Sequence, residues 1–313
     1  MDSPIVFLMG PTASGKTDLA LELCRRLPME VISVDSAMVY RGMDIGTAKP
    51  SKELLDEVPH RLINICDPAE CYSAARFAED ARREIESIHV AGGVPLLVGG
   101  TGLYFRALEQ GLSEMPAADP EIRLRIETEA REKGWVAMHD KLAAVDPAAA
   151  DRIHPNDPQR LQRALEVYEL TGRAISEFHN LPSQSLEHPV IKIIVAPKDR
   201  QVLHDRISSR FEKMLQEGLV EEVQTLYERE DLGPDLPAMR LVGYRQVWEY
   251  LAGTLDYEQM KAHAIAATRQ LAKRQLTWLR REENATWFDS LAGDLTDSVY
   301  NYLIKKEKKS IKL

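Results

Sequence analysis

Four short apolar runs organise the chain. Ile5–Met9, Val31–Val34, Val94–Val98 and Ile191–Ala196 are continuous rather than alternating, the pattern of strands buried on both faces of a parallel sheet. A glycine-rich turn follows the first run. Leu19, Ala20, Leu23, Cys24 and Leu27 then recur at helical spacing, so the N-terminus predicts strand, loop and helix in succession. The second run ends at Asp35 and the third at Gly99-Gly100, and a further helix is expected at about Ala74–Val90. Strands alternating with helices give an α/β fold built on a parallel sheet. Between about Pro116 and His188 only helical periodicity remains, broken at Asp146-Pro147 and His154-Pro155. Lying between two strands, this stretch is expected to be a helical insertion, residues 116–188, into a core made of 1–115 and 189–313. From Leu203 onward the pattern predicts helix throughout. Ile207, Phe211 and Leu215 form one apolar stripe there, closed by Gly218.

Charge and composition modify this outline in a few places. No run approaches the roughly 18 apolar residues of a membrane span. Met1-Asp2-Ser3-Pro4 lacks the positive start of a signal peptide, so a cytoplasmic protein is expected. Cys24, Cys66 and Cys71 form no CxxC pair and no Cys/His cluster, which excludes the usual structural zinc patterns. The net charge of −9 excludes a protein coated in basic charge but not a local basic groove. Such a groove has a candidate, because Arg269, Lys273, Arg274, Arg280 and Arg281 fall in a helical stretch with no acidic residue among them. Lys305, Lys306, Lys308, Lys309 and Lys312 make the C-terminus basic as well, as a solvated tail.

The segment Gly10-Pro11-Thr12-Ala13-Ser14-Gly15-Lys16-Thr17 fits G-x-x-x-x-G-K-[ST] at every position. It follows a predicted strand and opens a predicted helix, the context in which the pattern is a phosphate-binding loop, as in ATP-binding proteins. Its backbone N–H groups and the helix N-terminus attract an oligophosphate. Lys16 adds a point charge, and Thr17 can coordinate Mg²⁺. Asp35 lies at the end of the second strand, the edge that faces the ligand crevice in open α/β sheets. There it can act as a general base, stand behind a Mg²⁺ ion, or simply cap a turn. Residues 35–50 are polar and fit neither helix nor strand.

At this point the chain resembles the bacterial tRNA dimethylallyltransferases (isopentenyl-diphosphate:tRNA transferases) along nearly its whole length. The blocks GPTASGKT, VDSAMVYRGMDIGTAKP, VGGTGLY, HPNDPQRLQRALEVYELTG, RLVGYRQ and AKRQLTWLRR stand in that family's order and spacing. The resemblance implies a P-loop NTPase-like parallel sheet flanked by helices, with a helical insertion domain. It implies dimethylallyl diphosphate as donor, the exocyclic amine of the adenine 3′ of the anticodon as acceptor, and Mg²⁺ as cofactor. In this reading Asp35 takes the proton of the amine, Lys16 and the loop hold the departing diphosphate, and Thr101 stands between diphosphate and base. Contacts to tRNA are implied for Asp35, Ser36, Ala37, Met38 and Thr101. They are implied also for Arg123, for Gln159, Arg160, Leu161, Gln162 and Arg163, and for Arg240, Leu241, Val242, Gly243, Tyr244 and Arg245. Lys273 and Arg274 of the basic stretch are expected to join them. Some members carry Gln where this chain has Met38, and larger eukaryotic relatives append a zinc finger for which the three cysteines here give no pattern. Asp157-Pro158 predicts the start of a helix, with Leu161, Leu165 and Tyr168 as its buried stripe. A monomer is expected.

Two other classes share parts of this pattern. A small-molecule or nucleoside kinase would also carry a P-loop, an aspartate at the second strand and a helical lid. The basic helix and residues 35–50 then lack a task. A non-catalytic P-loop module that binds RNA would have no use for Asp35 and Thr101 at two strand ends.

Overall fold

The computed structural model describes residues 4–113, 115–179 and 184–310, apart from the side chains of 307–310. Lys308, Lys309 and Lys312 of the basic tail lie outside the described side chains. The chain divides into two compact units, one running up to Leu108 and resuming at Glu187, the other Glu109–Leu186. The expected insertion bounds of 116 and 188 fall just inside and just outside the second unit. Its ends are tied where Leu186 N–H donates to the Glu109 carbonyl at 3.0 Å.

The first unit is built on six parallel strands: β1 (Ile5–Met9), β2 (Met29–Val34), β3 (His60–Arg61), β4 (Val94–Gly99), β5 (Val190–Ala196) and β6 (Thr286–Asp289). They lie in the order β3-β2-β4-β1-β5-β6. The four apolar runs are the four central strands. Every residue of β1 is buried, because helices cover both sides of the sheet. The helices Lys16–Arg26 and Leu295–Ser310 contribute Leu19, Leu23, Val299 and Leu303 to one core with Val6, Leu8, Leu96 and Val98.

The structure corrects the expected C-terminal pattern at two points. The C-terminal part is not all helix, because β6 pairs with β5 in parallel. As an edge strand of four residues, with Trp287 44% exposed, it has no need of the continuous apolar run that marks a central strand. β3, only two residues long, was equally silent. In the helix Arg200–Gln216 the buried stripe is Leu203, Ile207, Phe211 and Met214. Leu215 is only half-buried, since it lies one position round the helix from the face turned to the core. Gly218 does follow that helix in a left-handed conformation (φ +99°) and also begins the helix Leu219–Tyr227.

The second unit is helical, with a core that includes Ile126, Met138, Leu142, Leu161 and Leu165. The break expected at Asp146-Pro147 is present and is built as a cap between two helices. The buried Asp146 carboxylate accepts from Ala149 N–H and Ser176 N–H, both at 2.9 Å, and Pro147 opens a short helix. Asp157 and Pro158 are the N-cap and first residue of the helix Pro158–Thr171. Leu161 and Leu165 are buried on it, but Val167 takes the place expected of Tyr168, which is half-buried.

Candidate active site

Because all strands are parallel, their C-terminal ends leave the sheet along one edge. Met9 of β1 and Val34 of β2 both pair with Gly99 of β4. The residues that follow them, the P-loop after Met9, Asp35 after Val34 and Thr101 after Gly99-Gly100, therefore emerge at one level. Asp35, Thr101, Lys16 and Thr17 line one cavity of about 460 Å³. A larger one of about 1180 Å³ lies on the other side of the loop, and Lys16, Thr17, Arg210 and Met214 line both.

The loop's shape follows from its sequence. Gly15 adopts φ +87° to start the helix Lys16–Arg26, a conformation that side chains other than glycine's rarely take. Gly10 and Pro11 are buried behind the loop, and the Pro11 carbonyl accepts from Lys16 Nζ at 3.2 Å. Thr12 lines the smaller cavity, while Ala13, Ser14 and Gly15 line the larger. Ser14 Oγ is buried without a hydrogen-bond partner. Gln275, from the helix Tyr257–Leu279, fastens the loop to the end of β4. Its side-chain oxygen accepts Thr12 N–H at 2.8 Å and its amide donates to the Gly100 carbonyl at 3.1 Å.

The turn expected of Asp35 is present. Oδ1 accepts Ala37 N–H at 2.8 Å and Met38 N–H at 3.4 Å, which makes it a turn residue. Oδ2 has no hydrogen bond among the described residues. Thr101 Oγ1 accepts Ser36 N–H at 3.3 Å, which joins the two strand ends. Desolvation pulls the Lys16 ammonium down from 10.5 to about 8, the Asp35 carboxylate holds it up, and Arg210 lowers it further. Burial likewise lowers the Arg210 guanidinium, and Asp35 raises it. Two cations and one carboxylate thus share a poorly solvated pocket, which suits a polyanion.

Arg210 was not singled out from the sequence. It reaches Thr12 Oγ1 at 3.5 Å, and Arg206, four residues earlier, reaches the Ala13 carbonyl at 3.4 Å. The signal was two arginines at i, i+4 spacing beside an apolar stripe, a pattern equally typical of a solvated helix face. A Mg²⁺ ion prefers oxygen ligands. Among the described residues no group of three or more His, Cys, Asp or Glu side chains is placed to hold a metal. Thr17 lines both cavities beside Lys16, and its residue type fits an ion carried chiefly by substrate oxygens.

The remaining expected residues divide. Ser36, Ala37, Met38, Arg240, Leu241, Val242, Gly243, Tyr244 and Arg274 all line the smaller cavity. Arg245 does not: it is exposed and paired with Glu249 at 2.9 Å. Tyr244 is fully buried and belongs to the packing of the wall. Lys273 faces a separate groove of about 390 Å³, shared with Arg200, His204, Arg269 and Arg280.

In the helical unit, Gln159 and Arg160 are exposed, with Arg160 Nε 3.3 Å from Asp157. Leu161 is fully buried, so its side chain packs the unit and is not presented to a ligand. Gln162 donates to the Arg123 carbonyl at 3.2 Å and to Glu127 at 2.9 Å. Arg123 and Arg163 both grip the buried Glu166 carboxylate, at 2.9 and 2.7 Å, and Asp119 N–H donates to it at 2.8 Å. Glu166 was missed because it sits in an ordinary helical pattern. A fully buried carboxylate is tolerated only when paired in this way.

A model of the IPP transferase family matches residues 38–282. A tRNA dimethylallyltransferase of Thioalkalivibrio sulfidiphilus is 65% identical over 281 residues, covering 90% of this chain and 88% of that protein. One from Coxiella burnetii is 58% identical, covering 96% of each. Among solved structures, the full-length tRNA isopentenylpyrophosphate transferase of Bacillus halodurans superposes with a TM-score of 0.74 at 39% identity, covering 99% of this chain and 98% of that one. A eukaryotic dimethylallyltransferase captured acting on tRNA does so with a TM-score of 0.81 at 26% identity, over 98% of this chain and 80% of that one.

Proposed function

The chain belongs to the IPP transferase family, and on that premise we propose how its cavity moves a dimethylallyl group from dimethylallyl diphosphate to the N6 amine of the adenine 3′ of the anticodon in tRNA. The C1–O bond of the donor breaks, the N6–C1 bond forms, diphosphate departs and one amine proton is lost. The observation that carries the reading is the shared level of Met9, Val34 and Gly99. It sets an anion cradle, a carboxylate and a hydroxyl around one cavity.

Each group has a task that its surroundings support. The exocyclic amine is a weak nucleophile, so the reaction depends on stabilising charge that grows on the leaving diphosphate. Lys16, Arg210 and the loop N–H groups do this in a pocket where solvent screens little. Asp35 keeps its turn through Oδ1 and receives the amine proton on Oδ2. Thr101, bound to the Ser36 backbone, stands between the two substrates. Thr17 would hold Mg²⁺ together with the diphosphate, and the ion would supply further neutralisation of its charge. An adenine in a stacked loop must be turned out to enter, and the wall Arg240–Tyr244 receives it. A tRNA acceptor supports a cytoplasmic reaction; no helix among the described residues is long and apolar enough to cross a membrane.

The test is transfer itself. Donor labelled in the dimethylallyl group should label tRNA, with one diphosphate released per group and little release without tRNA. ATP turnover independent of RNA, with no label transferred, would favour the kinase reading instead.

Binding tRNA to a chain of net charge −9 requires local cations. Lys273 and Arg274 are both exposed, one in the basic groove and one at the cavity. Changing both to glutamate is expected to weaken tRNA binding. It should also reduce the dependence of log Kd on log salt by about one unit for each phosphate no longer neutralised. Donor affinity without tRNA should change less. Titrations at several salt concentrations decide this, and an unchanged slope with unchanged affinity would put the docking surface elsewhere.

A further inference from the structure

Residues 35–50 contain neither helix nor strand, yet Gly46, Thr47 and Ala48 form part of the cavity wall. Glu222, on the helix Leu219–Tyr227, holds this stretch in place. Its Oε2 accepts Asp44 N–H and Ile45 N–H, both at 2.7 Å, and its Oε1 accepts Gly46 N–H at 3.1 Å. The same Oε1 accepts the Tyr244 hydroxyl at 2.5 Å. Tyr244 adjoins Val242 and Gly243 in the wall assigned to the acceptor base. Gly46 lies so close to the Tyr244 ring that a Cβ would sit 2.5 Å from it. One carboxylate therefore binds two stretches of wall that are about two hundred residues apart in sequence. It faces four donors, and hydrogen bonds to a charged acceptor are roughly twice as strong as neutral ones.

We propose that Glu222 is a positioning residue for the transfer reaction, fixing the Asp44–Gly46 turn against the Tyr244 wall so that donor and acceptor meet at bonding distance. The proposal rests on the function given above. Glu222 touches no reacting atom. Its contribution is geometric, and a misplacement of about 1 Å between reacting groups can cost on the order of 10²-fold in rate.

Glu222→Gln keeps the shape but turns an amide NH₂ toward backbone N–H groups, so donor meets donor. Single-turnover transfer at saturating donor and tRNA then separates two quantities: the amplitude reports the fraction of folded enzyme, and the rate constant reports its geometry. The rate constant is expected to fall by about 10–100-fold. Tyr244→Phe should lower it by a smaller factor, and the double variant should be no slower than Glu222→Gln alone, because the two side chains act through one contact. A wild-type rate constant with only reduced amplitude and melting temperature would make Glu222 a purely structural residue and overturn the proposal. If Glu222→Gln does not fold, Tyr244→Phe decides: an unchanged rate constant overturns the proposal equally. Absence of transfer by the wild-type chain would instead sink the functional reading.

Discussion

Asp35→Asn is expected to lower the single-turnover transfer rate by about 10²–10⁴-fold, the range for a lost general base, while leaving both substrates bound. The structure explains why the substitution is clean. Asn keeps the oxygen that accepts Ala37 and Met38 N–H, so the turn after β2 survives. What is lost is the second oxygen as a proton acceptor, together with the negative charge. That charge also supports the Lys16 ammonium, so its removal lowers the lysine further. Binding and transfer should therefore be compared at several pH values below 8, so that loss of the lysine's proton is separated from loss of the base. Donor and tRNA affinities within a few-fold of wild type, with slow transfer, are the expected pair of results. Near-wild-type transfer would remove Asp35 from the chemistry and leave it only its turn.

Lys16→Ala should reduce kcat/KM for the donor by about 10²–10³-fold, the range for losing one donor to a developing oxyanion. In the proposed reaction Lys16, unlike Asp35, meets charge that is present in the ground state and grows as the allyl carbon departs, so affinity and turnover should both fall. Its position makes a pH profile informative. A lysine at its ordinary 10.5 would stay charged across the working range. Desolvation brings Lys16 to about 8, so its proton is lost as pH rises through 8, and kcat/KM should decline there. Lys16→Arg should carry its charge well past that point and abolish the decline, and Lys16→Ala should show none. A wild-type profile flat to pH 10 would mean that Lys16 keeps its ordinary proton affinity in the pocket, and an unchanged kcat/KM in Lys16→Ala would mean that it is not the group that meets the diphosphate. A change confined to tRNA affinity would take the P-loop away from the donor altogether.

The sequence made some of this plain and concealed the rest for physical reasons. β1 was visible because a strand covered on both faces favours an unbroken apolar run, and the P-loop because its glycines and lysine answer to backbone conformation and to phosphate. Asp35 followed from the end of its strand, whereas Thr101 was implied by the family resemblance, and its place after β4 suits that reading. Arg210 and Gln275 were hidden because their partners, Thr12 and Gly100, lie far back in the chain. Distance of that kind leaves no local periodicity. Glu166 and Glu222 were hidden for a related reason: an acidic residue in a helix looks solvated unless the donors that converge on it are known. β3 and β6 escaped because edge strands need little apolar surface. Met214 and Leu215 stand one position apart, and a stripe read from spacing alone does not decide between them.

The parallel ladder acts as a ruler for the chemistry, and this bears on which changes of length the chain can absorb. Thr101 and the P-loop share Gly99 as their reference with Asp35, so no flexible loop sets the distance between cradle and carboxylate. Inserting or deleting one residue within Met29–Val34 would shift Asp35 by one strand rise, about 3.3 Å, or turn the strand's side chains to the opposite face. Either result separates the carboxylate from the cradle without touching a single site residue. A change of the same size near Gly253, in the exposed turn between the helices Tyr244–Leu251 and Tyr257–Leu279, leaves that reference untouched. Length variation in this fold is therefore confined by its sheet to the connections that lie off the ladder.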